Sequence, residues 1–229
     1  GLNVGFGLFM LPESLKPENR RPFGRRDINP FATIGRAFLI PGLAIPLVCL
    51  FVFEFANMVY PTLWAFWGRE VFGWDGFRIG LTLSAYGLLI AGVQAGVLPR
   101  FTKRLGDHKT LMLGIFAALI GLVGIGFTSA VWAVVIFLPI AALSDMAPPL
   151  MTALAANLVG EDQQGVVQGV IASLSSVAAV IAPLAMTGVF ERFVNETGTY
   201  LPGAPFLLAA ILVAMIIPLL LRMKSSNSN

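Results

Sequence analysis

Six apolar runs, each long enough to cross a lipid bilayer as a helix, leave this chain little choice of fold. They cover roughly residues 40–67, 79–98, 110–127, 131–159, 166–190 and 204–221. At about 1.5 Å of rise per helical residue, runs of this length match the hydrocarbon thickness. Hydrophobic residues make up 57% of the chain and charged residues 12%, a ratio that a soluble domain could carry only with a large exposed apolar surface. The expected fold class is therefore an all-α polytopic membrane protein. Residues 1–11 begin with Gly1 rather than methionine and read as the tail of a further hydrophobic helix cut in mid-span, about half a bilayer long. The protein's true start is expected upstream.

Charge alternates between the connections. Lys16, Arg20, Arg21, Arg25, Arg26 and Arg36 precede the first complete run, Arg100, Lys103, Arg104 and Lys109 separate the second from the third, and Arg222 and Lys224 follow the last. The opposite connections hold only Arg69, Arg78 and Arg192. The positive-inside rule then places the twelve basic residues, and with them the C-terminus, in the cytoplasm. Because the basic residues sit in connections rather than on one face, nucleic acid is not an expected partner. Cys49 is the only cysteine and His108 the only histidine, which excludes a disulfide framework and a clustered Cys/His metal site within the chain. No cofactor is expected. No HExxH or GxSxG sequence is present, so an intramembrane enzyme is the least favoured class.

Two acids interrupt the apolar runs: Glu54 and Asp145. Ionised groups are costly in hydrocarbon and usually mark a wet path for protons, ions or substrate. Glu54, Asn57, Pro61 and Trp64 are spaced by three, four and three residues and so share one helical face. Pro61 should free the carbonyl of Asn57, and Pro148 with Pro149 should free those of Ser144 and Asp145. An acid, an amide, a loosened carbonyl and an indole together suit a cavity for an amphipathic or cationic molecule. The competing reading has Glu54 bonded to a neighbouring helix and Trp64 anchored at the membrane interface. Gln94 in the second run, and Gln168, Ser173 and Ser176 in the fifth, either line a polar path or bond across to adjacent helices. Gly92 with Gly96, Gly165 with Gly169, and the series Gly114, Ala118, Gly121 and Gly124 are expected to be packing seams.

Several segments together resemble the C-terminal half of the tetracycline/proton antiporters, within the drug:H+ antiporter branch of the major facilitator superfamily. They are LPES (11–14), RRP (20–22), LW (63–64), FGWDGFRIGLTLSAYG (72–87), RLGDHKTLMLG (104–114) and GEDQQGVVQGVIASLSSVAAVIAPL (160–184). The resemblance implies twelve helices in two six-helix halves, of which this chain would hold the end of the sixth (1–11), the central cytoplasmic loop (12–39), a six-helix bundle (40–222) and a cytoplasmic tail (223–229). It also implies a mid-membrane site between halves that rock against each other. The family has a histidine where this chain has Ile90 and an acid where it has Ala118, while Glu54 and Asp145 stand where the family has uncharged residues. The acids are thus redistributed, which points to a relative with another substrate or another proton site. The connection 99–109 is similar to a degenerate copy of the superfamily's gating loop, with Arg100, Lys103, Arg104 and Asp107 as its candidate contacts.

The function expected is that of a proton-coupled exporter of small amphipathic compounds in the cell or bacterial inner membrane. Glu54, Asn57, Trp64, Gln94 and Asp145 are the candidate substrate-binding or proton-coupling residues. The partners expected are the bilayer, a small-molecule substrate, protons and an N-terminal six-helix half. A metabolite uptake permease of the same fold, or a non-transporting membrane half-protein, are the alternatives.

Overall fold

The structure, a computed structural model, describes residues 30–196 and 198–226, so the expectations for residues 1–29 and for 227–229 lie outside the described residues. A short helix, α1 (Pro30–Leu39), occupies the last ten residues of the segment expected to be a loop. Six helical spans follow. The first is α2 (Ala44–Asn57) continued by α3 (Val59–Phe72), and the second is α4 (Gly76–Gly92), a π turn (Val93–Val97) and α5 (Leu98–Leu105). The third is α6 (Asp107–Phe127), and the fourth is α7 (Val131–Leu143), a 3-10 turn (Ser144–Met146) and α8 (Ala147–Ala156). The fifth is α9 (Gln164–Glu191), which ends in a π turn (Arg192–Glu196), and the sixth is α10 (Ala204–Ser226). All six are long and apolar enough to cross a membrane.

Proline sets the irregularities. The first span breaks between Asn57 and Val59, four and two residues before Pro61, where the helix loses a bond. The fourth tightens into a 3-10 turn directly before Pro148 and Pro149, which then sit in the first turn of α8, where a missing N–H costs nothing. In the second span the wide turn at 93–97 lies just ahead of Pro99. A π turn at this position spares the chain the clash of the proline ring with a preceding carbonyl.

The ends of the spans are written equally locally. Gly73 takes the left-handed conformation (φ 62°) and closes α3 with bonds from its own N–H to Arg69 O and from Trp74 N–H to Gly68 O. Asp75 then caps α4 by accepting from the N–H of Arg78 at 2.9 Å. Gly106 (φ 79°) makes the turn between α5 and α6, with Lys103 and Arg104 in the last turn of one helix and Asp107 in the first turn of the next. Both placements suit the helix dipoles. The final helix runs on to Ser226, beyond the expected end of the bundle at 222. Helix propagation is cheap once a span has nucleated.

The first span packs on the sixth, the fifth and the lower half of the fourth, while the third packs on the fourth and sixth. The second span is held least: 6% of its apolar stretch is buried, against 56% for the third. The glycines divide the same way. A methyl group built on Gly121 would lie 2.9 Å from the Cα of Ala141, one on Gly114 would lie 3.3 Å from the amide of Ala147, and one on Gly124 would collide with Phe137. The third span therefore has its expected seam. Gly92, Gly165 and Gly169 meet nothing within 4 Å, and Gly96 faces only the side chain of Arg100. Among the described residues no helix of this bundle lies over these two GxxxG pairs.

Candidate functional site

Asp145 lies in the 3-10 turn that splits the fourth span, and two side chains of the second span converge on it. Gln94, carried in the π turn, donates its Nε2 to the backbone carbonyl of Asp145 at 2.8 Å. Tyr86, two helical turns earlier, directs its hydroxyl at the Oδ2 of Asp145 at 3.4 Å. The prolines at 148 and 149 withhold a helical donor from that carbonyl, and an amide from a neighbouring span replaces it. Both helices are irregular at the level where they meet, and each irregularity has its own proline.

Glu54 is half-buried on α2, within electrostatic reach of Asp145. Asn57 turns back on its own helix and donates Nδ2 to Phe53 O at 3.1 Å. Trp64 is 3% exposed, and its Nε1 donates to Thr82 Oγ1 at 2.8 Å, while that hydroxyl in turn donates to Ile79 O at 2.9 Å. The indole is thus a buried tie between the first and second spans, not an interfacial anchor. It belongs to an aromatic cluster with Tyr60, Trp67, Phe72, Trp74, Tyr86 and Phe206. A half-open cavity of about 100 Å³ lies between the first, second and fourth spans, lined by Tyr60, Pro61, Trp64, Leu83, Tyr86 and Leu138. The hydroxyl of Tyr60 is buried without a hydrogen-bond partner, alone in this among the described side chains.

Of the five residues singled out as binding or coupling candidates, Gln94 and Asp145 touch, Glu54 stands within electrostatic reach, Trp64 lines the adjoining cavity, and Asn57 is engaged with its own backbone. Ser173 and Ser176 also bond to their own helix, accepted by Gly169 O and Ala172 O, each at 2.8 Å, rather than crossing to a neighbour. Gln168 is exposed. The connection expected at 99–109 is helical on both sides of Gly106: Arg100, Lys103 and Arg104 lie on α5 and Asp107 opens α6, where Arg100 bonds Gly96 O at 2.8 Å and Lys103, Arg104 and Asp107 are exposed. The sequence reading overlooked Tyr60 and Tyr86. The signal was available, since only three tyrosines occur in the chain and these two fall inside apolar spans, where a phenolic hydroxyl needs a partner.

Six apolar spans, two of them broken at mid-length and wired together at an acid, define a helical membrane transporter bundle. The chain belongs to the Major Facilitator Superfamily, whose family model matches residues 1–183 and, a second time, residues 49–227. Among curated proteins it is 29% identical over 222 residues to the class C tetracycline resistance protein of Escherichia coli, covering 97% of this chain and 55% of that protein. It is 34% identical over 149 residues to the class E protein of Escherichia coli, covering 64% of this chain and 36% of the relative. A human protein, Hippocampus abundant transcript-like protein 1, is 26% identical over 235 residues, 93% of this chain and 46% of its own length. The chain spans about half the length of the curated relatives it matches.

Proposed function

We propose that this chain forms the C-terminal six-helix half of a proton-coupled exporter of small amphipathic compounds, working by alternating access. The observation that carries the reading is the junction at Asp145, where a proline-broken turn of one span is held by Gln94 and Tyr86 of another, with Glu54 close by. Acids at mid-span are costly unless they do work, and proton exchange against substrate is work that needs them. Two further features support the reading. The bare glycine faces of the second and fifth spans offer close approach to helices outside this bundle, as an N-terminal half would require. The named resistance proteins among the relatives support export rather than uptake.

In this reading the basic end of the bundle and the C-terminus face the cytoplasm. Arg100, Lys103, Arg104 and Asp107 serve as gating contacts to the other half. Asn57 and Trp64 shape the cleft beside Glu54.

The test is transport in everted vesicles holding the full-length carrier, with Glu54→Gln and Asp145→Asn compared across a pH series. At least one variant should express normally yet move substrate without its dependence on the proton gradient. Unchanged pH dependence in both would remove the coupling role, and accumulation in the opposite direction would reverse the assignment from exporter to importer.

A further inference from the structure

We propose that α1 (Pro30–Leu39) is a surface helix that seats on anionic phospholipid, with Leu39 entering the acyl boundary and Arg36, together with the basic chain that leads into the helix, meeting the phosphate head groups. The proposal goes beyond the transport reading, since it holds for an exporter, an importer or an uncoupled carrier alike.

The helix is docked on one side only. Its ten residues would be marginal as an isolated helix in water, so its surroundings must hold it. Ile34 and Phe38 pack against the core of the bundle and Ala37 is 2% exposed, the support coming from the fifth span and from α2. On the other side Gly35 and Arg36 are exposed, and Leu39, at 83%, is more exposed than any other large hydrophobic side chain described. Arg36 and Leu39 stand three residues apart and so share that face. A leucine beside an arginine suits a helix lying in a membrane surface, where the apolar chain dips into lipid and the cation reaches the head groups.

Its level in the fold is that of the membrane boundary. Gly42 (φ 83°) turns the chain between α1 and α2, so α1 is not a prolongation of the first span. A methyl group built on Gly42 would lie 3.9 Å from the side chain of Leu158, just past the end of α8 at Ala156. The turn that carries α1 is therefore packed where the first span begins and the fourth ends. An apolar side chain exposed at that level meets lipid, and a cation there meets phosphate.

Charge selects the kind of lipid. The helix itself contains no acid, and from Lys16 to Arg36 the sequence holds six basic residues against Glu18 and Asp27. Basic clusters of this density beside a membrane span are drawn to anionic leaflets, each residue near the surface adding roughly five-fold to the affinity. Leu39 alone would accept any phospholipid. The arginines supply the preference for one that bears net negative charge.

The experiment uses the full-length carrier in a cysteine-free background, with Leu39→Cys carrying a bimane fluorophore. The protein is reconstituted in bilayers of phosphatidylcholine and phosphatidylglycerol at equal mole fraction, and either one lipid or the other bears brominated acyl chains that quench on contact. Both should quench, the anionic lipid about two-fold more strongly or better. Replacing Arg20, Arg21, Arg25, Arg26 and Arg36 together by Gln should equalise the two and leave quenching by phosphatidylcholine in place, which also shows that α1 keeps its seat. Equal quenching before those replacements, or a preference that survives them, overturns the proposal. Quenching by neither lipid overturns it as well, since water or the other half of the carrier would then cover Leu39. None of these readings involves Glu54 or Asp145, so a failure here leaves the transport assignment standing, and a failure of proton coupling leaves the quenching unmoved.

Discussion

Gly121 and Gly92 look alike in the sequence, each a glycine in a small-residue stripe on an apolar helix, yet they meet opposite fates. Gly121 is pressed on the backbone of Ala141 where the third and fourth spans touch, while Gly92, on the second span, faces open space. The third span is the bundle's interior, and the second is an outlying helix fastened by a few polar ties to its neighbours. Without a hydrophobic drive between helices in lipid, close packing and interhelical hydrogen bonds are what remain. The two regions use them in opposite proportion. The span that carries Gln94 and Tyr86 is the less buried of the two.

The contrast can be broken most easily at the seam. Gly121→Leu should destabilise the protein by about 3 kcal/mol or more, read as the midpoint of thermal unfolding in detergent, because backbone stands where the new side chain must go. A wild-type midpoint would mean that the third and fourth spans do not pack as described. Trp64→Phe removes the bond to Thr82 and should cost about 1 kcal/mol on the same assay. Gln94→Ala should cost less, about 0.6 kcal/mol, since one polar tie in a membrane bundle is worth little on average.

Gly92→Leu sharpens the comparison from the other side, with a bundle stability within about 0.5 kcal/mol of wild type. Transport by the full-length carrier should fall all the same if another helix must approach that face. The smallest effect is expected at the loops opposite the basic end, where the exposed Tyr200 donates its hydroxyl to Glu70 Oε1 at 2.8 Å. Partial desolvation and the Glu70 carboxylate hold the Tyr200 phenol above its ordinary value of 10.0. Its bond should therefore be complete below that value and lost as pH rises through the raised one. Tyr200→Phe should match wild type within about 0.5 kcal/mol at neutral pH and should lack the alkaline component of the wild-type stability profile.

Much of the architecture was legible residue by residue. Hydropathy marked the six spans, Pro61 and the pair at 148 and 149 marked two of the breaks, and Gly73 and Gly106 marked turns. Each of these depends on a residue and its neighbours within a helical turn or two, because a missing N–H or a left-handed φ acts on the adjacent backbone. Even the free carbonyl of Asp145 was inferable, since its cause lies three and four residues away. What fills it was not. Gln94 is distant in the chain, and nothing in a period of apolar residues says which span lies beside which.

The same limit explains the open glycine pairs and the unforeseen tyrosines. A GxxxG spacing states that a helix can be approached closely, and only the arrangement of the whole bundle decides whether anything does so. A tyrosine in an apolar run states that a hydroxyl needs a partner, and only the meeting of the second and fourth spans brought Tyr86 to Asp145 while leaving Tyr60 without one. Helix identity here is a short-range property of the chain, whereas the chemistry of the cleft arises from contacts between spans that the chain order does not encode.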